Sequence, residues 1–456
     1  MALTREQKGL FGGYSTETSD IRDAIQKTIR DLSVVIATRD IEIDVTRAVM
    51  SFVISEDLDT PYLVGQLKML DNSAITSALP LVGQETIKIG FTRAGETVYK
   101  EFSCTNISDV TKAINQSAGV TLNLLSKKCL TDSVSNFSKS YSGLASDIIK
   151  DIHIDFLKED IDIQSTSGSA HNIVFPFTTP YGAINSIIKK TFGNDGTPYF
   201  LYENLFGEKP ILKSLGDMNS EVKLDKLFKL KKSPNVNKDS LGQGTRYSPD
   251  HVGELLNFSI TKDFDTIKLL QQGALLNNTL RLDISNKNYS ENPFYYATSA
   301  KLQDVDPSVD PYVNYEVDDN NLESNLLKPA FSIEFHSPLA FESEGVTELH
   351  THPDVLAKSK KRSFMSRLNN MIRIRATVDS DPKNIKVGKC VNLIIPLNAP
   401  ALPGADMTNE LFSGRYLITA ITHQIKSTEY VMMINLARMD LSKVASNRGS
   451  HPAERD

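Results

Sequence analysis

The residues best suited to chemistry in this 456-residue chain are His350 and His352, with His336 upstream and Asp354 just beyond. In an extended segment, side chains two apart project to one face, so the two imidazoles can share an ion while His336 or Asp354 completes its donor set. A metal held that way would act as a Lewis acid in hydrolysis. Pro353 stops the strand directly after the pair, and no motif fixes the remaining ligands. A chance pairing is therefore the reading kept. A metal-dependent hydrolase is the alternative, and no residue is assigned to catalysis, metal or cofactor.

Other signatures are absent. The chain holds no GxxxxGK[ST] phosphate loop, HExxH, GxSxG or EF-hand loop. Gly242-Gln243-Gly244 is a bare GxG in a polar stretch, which a flexible turn explains. Carboxylates are frequent, 56 Asp and Glu against 50 Lys and Arg, so no pair stands out as a glycosidase couple. Cys104, Cys129 and Cys390 are odd in number, far apart and without CxxC spacing, and they read as buried free thiols.

Composition narrows the classes further. With 40% hydrophobic and 23% charged residues the chain is globular, long enough for roughly two to four domains. A net charge of −6 lacks the basic excess of a dedicated nucleic-acid binder, although DNA can still slide past such a surface. Trp is absent and most Phe and Tyr fall on periodic core positions, which disfavours the other alternative, a tail-associated carbohydrate-binding β-protein. No signal-peptide core is present at the N-terminus, and no apolar window reaches the roughly 18 residues of a membrane span, so cytosolic synthesis without membrane insertion is expected.

Hydrophobic periodicity divides the chain into segments of an α+β, mainly β fold. Residues 1–32 form a polar arm followed by a helix over Thr18 to Leu32. Over 33–130 the period is two, through Ile41, Ile43, Phe52, Ile54, Ile87, Ile89, Phe91, Val98, Phe102, Leu122 and Leu124, which predicts a first tube-like antiparallel β-barrel. Residues 131–253 form a helical middle region. It has one helix carrying Val134, Phe137, Tyr141, Leu144, Ile148 and Ile152, a second opened by Thr179-Pro180 and closed by Gly193, an aromatic strand Tyr199 to Tyr202, and a solvated lysine-rich stretch. Residues 254–292 open a second barrel, 293–367 form an insertion packing with the middle region, 368–441 close the barrel, and 442–456 are a polar tail. Asp304 to Glu323 holds seven acidic and no basic residues, whereas Lys358 to Arg375 holds seven basic and no acidic ones.

The closing strands have the sharpest pattern. Ile372, Ile374, Ala376 and Val378 alternate with Met371, Arg373, Arg375 and Thr377, and Val387 to Ile395 forms the next strand, stopped by Pro396. Gly414 to Ile425 and Tyr430 to Leu441 then make a hairpin around Lys426-Ser427-Thr428-Glu429. Tyr416, Ile418 and Ala420 oppose Leu417 and Ile421, so both faces are apolar, and cover from another domain or subunit is expected. Arg373 and Arg375 are expected to face outward and meet carboxylates of a neighbour.

Met371 to Val378, the Val387-Gly388-Lys389 turn into a strand, and the ending Gly414-Arg415-Tyr416-Leu417-Ile418, His423, Tyr430, Leu436-Ala437-Arg438 together resemble the central hub proteins of contractile phage baseplates. That family includes phage late-control tail proteins and the hub part of VgrG spikes. The resemblance implies two tube-like barrels, the second interrupted by an insertion, in a homotrimer that joins a sixfold tail tube to a threefold central spike. It also implies contacts with tube or tube-initiator proteins, baseplate wedge proteins and the tape-measure protein, and transient, non-specific passage of DNA. The place of action would be the virion tail. Only Ser442 to Asp456 follow the last strand, so the spike is expected to be a separate polypeptide.

Overall fold

The computed structural model describes residues 29–38, 41–71, 83, 85–112, 118–166, 171–189, 191–193, 197–220, 227–232, 252–262, 266–274, 276–283, 288–295, 330–336, 353–370, 372–379, 382–396, 409, 412–426 and 429–438. The first block of strands is β1 (Arg30–Ala37), β2 (Glu42–Asp44), β3 (Val49–Asp57), β4 (Val64–Asp71), β5 (Thr86–Arg93), β6 (Glu96–Lys112) and β7 (Ala118–Ser126). A middle region follows with α1 (Lys127–Val134), β8 (Phe137–Gly143), α2 (Ala145–Ile152), a π-helical turn (His153–Leu157), β9 (Asp162–Ile163), β10 (His171–Thr178), α3 (Pro180–Ile188), β11 (Tyr199–Tyr202), β12 (Ile211–Ser214) and α4 (Leu215–Ser220). The remainder comprises β13 (Lys229–Lys232), β14 (Val252–Lys262), α5 (Thr266–Gln271), β15 (Leu276–Asp283), β16 (Asn288–Tyr295), β17 (Ala330–His336), α6 (Pro353–Asn370), β18 (Arg373–Asp379), β19 (Cys390–Ile394), β20 (Gly414–Lys426) and β21 (Glu429–Arg438).

The mainly-β α+β class is as the sequence predicts, but the two separate barrels are not. Thirteen strands form one sheet in the order β19, β13, β14, β18, β21, β20, β3, β4, β7, β6, β5, β1, β2. The fusion rests on β20, which is 13 residues long. Its first part, Gly414 to Leu417, pairs with β19, and after an irregularity between Ile418 and Ala420 its second part pairs with β3 from Ala420↔Asp57 to Lys426↔Ser51. A bulge of this kind twists the strand and lets one segment serve two neighbours. Because β19 also pairs in parallel with β13, six strands of the second block follow one another in a ring. No pairing among the described residues joins β2 to β3.

The pairing of several other segments differs from the sequence reading. β13, read as part of a solvated lysine stretch, joins the second block through Leu230, which is fully buried between lysines. β15 and β16 do not continue from β14; they form a separate three-stranded sheet with β17. The helix expected through Val134 to Ile152 is broken into α1, β8 and α2, because Phe137 and Tyr141 alternate with serines and Gly143 sits at φ 147°. Of the expected helix from Thr18 to Leu32, Arg30 onward belongs to β1, and residues 18–28 lie outside the described residues.

The doubly apolar part of the closing hairpin is covered from within the chain. Tyr416, Leu417 and Ile418 are all fully buried, and Phe364 and Leu368 of α6 belong to the same core. Arg373 and Arg375 likewise find their hydrogen-bond partners inside the chain: Arg373 donates to Asn369 Oδ1 and Thr419 Oγ1, and Arg375 donates to Asn435 Oδ1 at 3.4 Å. Asp57 and Asp59 of the same chain also lie near enough to act on the Arg373 charge.

Candidate functional site

The sequence's metal candidates are not brought together in any describable way. His350 and His352 lie outside the described residues, as do the side chains of His336 at the end of β17 and Asp354 in α6. Among the described residues no group of three or more His, Cys, Asp or Glu is placed to hold an ion. Cys104, Cys129 and Cys390 are free thiols, with Cys104 buried and the other two half-buried. Burial pushes the Cys104 thiol up to about 11, which leaves it a poor nucleophile.

What the fold does assemble is a surface. Beyond its bulge β20 alternates Ile421, His423 and Ile425 toward the core with Thr422, Gln424 and Lys426 away from it. Register carries this division across the sheet. One row runs Asn257, Thr377, Met433, Thr422, Ser55, Val64, Leu125 through β14, β18, β21, β20, β3, β4 and β7. The next row runs Val431, Gln424, Val53, Gln66, Asn123, Asn106 through β21, β20, β3, β4, β7 and β6. Neither row contains a charged residue. Cross-strand hydrogen bonds tie the face together: Ser55 Oγ and Thr422 Oγ1 lie 3.2 Å apart, Gln66 Nε2 donates to Asn123 Oδ1 at 3.1 Å, and Asn123 Nδ2 donates to Asn106 Oδ1 and Ser108 Oγ. Charges stand in the flanking rows, with Lys426, Glu429 and Lys68 on one side and Arg375 and Asp57, with Arg373 beyond, on the other.

The opposite, core-facing side of the same strands holds a buried polar joint. His423 Nδ1 lies 2.6 Å from Tyr430 Oη, His423 Nε2 lies 3.5 Å from Glu56 Oε1, and the backbone N–H of Leu205 donates to Glu56 Oε2 at 2.5 Å. The Arg93 guanidinium carbon lies 4.9 Å from the centre of the Tyr430 ring, and Phe206 packs against Phe91, His423 and Tyr430. A loop of the middle region thus plugs the sheet where its two blocks meet. Tyr202 completes the contact at Gly388, whose φ is +81° and where any Cβ would collide with the phenol hydroxyl.

A cleft of about 340 Å³ lies between the β3–β4 turn, α3, β11 and α6, lined among others by Asp59, Tyr62, Asp132, Tyr181, Phe200 and Lys361. Burial raises the Asp59 carboxyl, with Asp57 adding to the effect, and burial lowers the Lys361 ammonium. Tyr62 of the lining hydrogen-bonds Cys129, whose thiol is pushed up by burial and by Asp132, and the Asp132 carboxylate accepts from the Tyr181 N–H at 2.6 Å. Among the described residues no helix is long and apolar enough to cross a membrane, which says nothing about strands.

No protein-family model matches the chain, and no curated protein does. Solved structures do match its fold. The tail protein from Neisseria meningitidis MC58 aligns over 90% of this chain and 97% of its own with a TM-score of 0.52 and 10% identity. The 43 kDa tail protein of prophage MuSo2 from Shewanella oneidensis aligns over 90% and 98%, with a TM-score of 0.50 and 10% identity. The shared property is the fold, along nearly the full length of all three chains.

Proposed function

We propose that the chain is a non-enzymatic structural protein of a contractile phage tail, the central hub of its baseplate. In this reading it acts as a homotrimer that joins the sixfold tail tube, or its initiator, to the threefold central spike, surrounded by wedge proteins and with the tape-measure protein as a further neighbour. It leaves a channel through which DNA passes without specific binding. The observation that carries the reading is the double pairing of β20, with β19 and β21 on one side and β3 on the other, which fixes two sheet blocks side by side in one subunit. Three such subunits present six blocks, which reconciles threefold with sixfold symmetry. The fold shared with two tail proteins, one of them from a prophage, supports the same reading.

Light scattering on the purified protein, alone and with its spike, tests the assembly. A trimer is expected; a stable monomer with spike bound, or a hexamer, overturns the adaptor role. Duplex DNA should show no measurable affinity at physiological salt, consistent with the net charge of −6. Micromolar or tighter binding by the unmodified protein would count against passage.

A further inference from the structure

We infer that the cleft between the β3–β4 turn, α3, β11 and α6 binds a free α-amino acid with an apolar, preferably aromatic, side chain. Its ammonium meets Asp59, its carboxylate meets Lys361, and its side chain lies among the rings of the lining. The inference goes beyond the hub reading and does not depend on it.

Two charges carry it. Asp59 stands on the turn and Lys361 on α6, and both line the cleft. Each is near enough to act on the other's charge, yet no ion pair joins either of them to any described residue. Arg373 also acts on Asp59, but its hydrogen bonds go to Asn369 and Thr419. The Lys361 ammonium lies 5.9 Å from the centre of the Phe200 ring. Burial disfavours the ionised form of both groups, raising the Asp59 carboxyl with help from Asp57 and lowering the Lys361 ammonium with help from Lys189. A carboxylate and an ammonium held apart and partly desolvated are the complement of a zwitterion, whose two ends bring both counter-charges at once. A ligand with one charged end compensates one group and buries the other unpaired.

The rest of the lining sets the body of the ligand. At about 340 Å³ the cleft is at the small end of the roughly 300–1,000 Å³ of ligand sites, which suits a single amino acid. Its walls include Pro61, Tyr62, Tyr181 and Ile184, with the Tyr62 and Tyr181 rings 6.2 Å apart and tilted by 49°. A further ring among these gains the tilted and edge contacts that aromatic groups favour. Asp59 and Asn185 are exposed, so a free ligand can enter from their side. An internal residue of a polypeptide carries neither end charge and leaves both protein charges uncompensated.

Calorimetric titration of the full-length protein with L-phenylalanine tests the assignment, beside phenethylamine, which lacks the carboxylate, hydrocinnamate, which lacks the ammonium, and N-acetylphenylalaninamide, which lacks both charges. L-Phenylalanine should saturate at about millimolar or tighter, and each analogue should bind roughly tenfold or more weakly. Asp59→Asn should bring phenylalanine down to the level of hydrocinnamate, and Lys361→Met should bring it down to that of phenethylamine. Because the ligand touches the turn, α3 and α6 together, saturation should also slow amide exchange in α3. No saturable binding of phenylalanine up to tens of millimolar overturns the inference, as does a loss common to all ligands, or no loss, in both variants. N-acetylphenylalaninamide binding as tightly as phenylalanine overturns it too and assigns the cleft to a polypeptide segment. The analogue series on the unmodified protein is decisive without either variant, and none of these outcomes bears on the hub reading.

Discussion

The two sheet blocks and the middle region are held together by different means. The blocks share one apolar core, in which Val34, Phe52 and Leu122 of the first belong to the same cluster as Ile374, Leu393 and Ile434 of the second. The middle region has its own, built from Phe137, Ile149, Ile152, Ile184 and Ile187. Strand β11 lies between them and is buried at every position: Tyr199 and Leu201 face the middle core, while Phe200 and Tyr202 join the shared one. The join extends further into the shared core through Leu205, Phe206, Leu215 and Met218, and ion pairs add to it. Lys100 and Lys128 both reach Glu203, at 2.9 and 2.7 Å, and Lys128 also reaches Glu159 at 3.2 Å. Apolar continuity makes one cooperative unit of the blocks, whereas the middle region, with a core of its own, is docked on them through β11, the loop after it, α4 and an ion-pair network.

Cutting the shared core should give the largest effect. Phe52→Ala removes a fully buried ring that packs on Phe91 at 5.8 Å, and should cost about 3–5 kcal/mol. Because the core is common, amide exchange should accelerate together in both blocks; acceleration confined to the first would break the comparison. Glu203→Ala should cost about 3 kcal/mol, since it leaves two largely buried lysines without their shared carboxylate. Its effect should appear as separation of the middle region, with protection lost in α2 and α3 before β3 or β20.

The difference between the units was partly legible in the sequence. Strict alternation, as in Ile87, Ile89 and Phe91 or Ile374, Ala376 and Val378, is a direct record of one buried face, and those strands form where the pattern places them. Phe137 and Tyr141 misled because a spacing of four is a multiple of two as well as close to a helical turn; the intervening serines and Gly143 decide for a strand. Helix α6 was invisible because part of its buried face is hydroxylic: Ser359 and Ser363 sit against β15 and the turn before it, with Ser359 Oγ 2.9 Å from Thr279 Oγ1 and Ser363 Oγ donating to Ala274 O. The pairing of β20 with β3 brings together residues 367 apart, such as Ser55 and Thr422, for which no local signal exists. Without that register the uncharged face looks like several ordinary solvated strand sides.

Acid offers a third way to separate the units. His153 is fully buried in the middle region, and burial together with Lys128 lowers its pKa from 6.5 to about 4. The folded value lies below the unfolded one, so folding favours the neutral ring. The associated stability is complete above about pH 6.5 and is lost as the pH falls toward 4, at up to about 1.4 kcal/mol per pH unit. Far-ultraviolet dichroism and amide exchange at pH 7 and pH 5 should show the middle region loosening ahead of the sheet. A His153→Gln variant should lose that pH dependence, and an unchanged acid response would assign it to other groups.

The smallest expected effect is the most local. Thr179 caps α3: its Oγ1 accepts the N–H of Gly182 at 3.2 Å, and Pro180 occupies the first helical position, where its missing N–H costs nothing. The same helix end is held by Asp132 of α1, whose carboxylate accepts the Tyr181 N–H at 2.6 Å. Thr179→Ala therefore removes one of two caps and should cost about 1 kcal/mol. If the middle region is a separate unit, this loss should raise exchange in α3 and leave the midpoint of sheet unfolding unmoved. Asp132→Ala, which releases the other N–H and the link to α1, should act in the same direction. A shift of the sheet midpoint by either variant would show that the two units unfold as one.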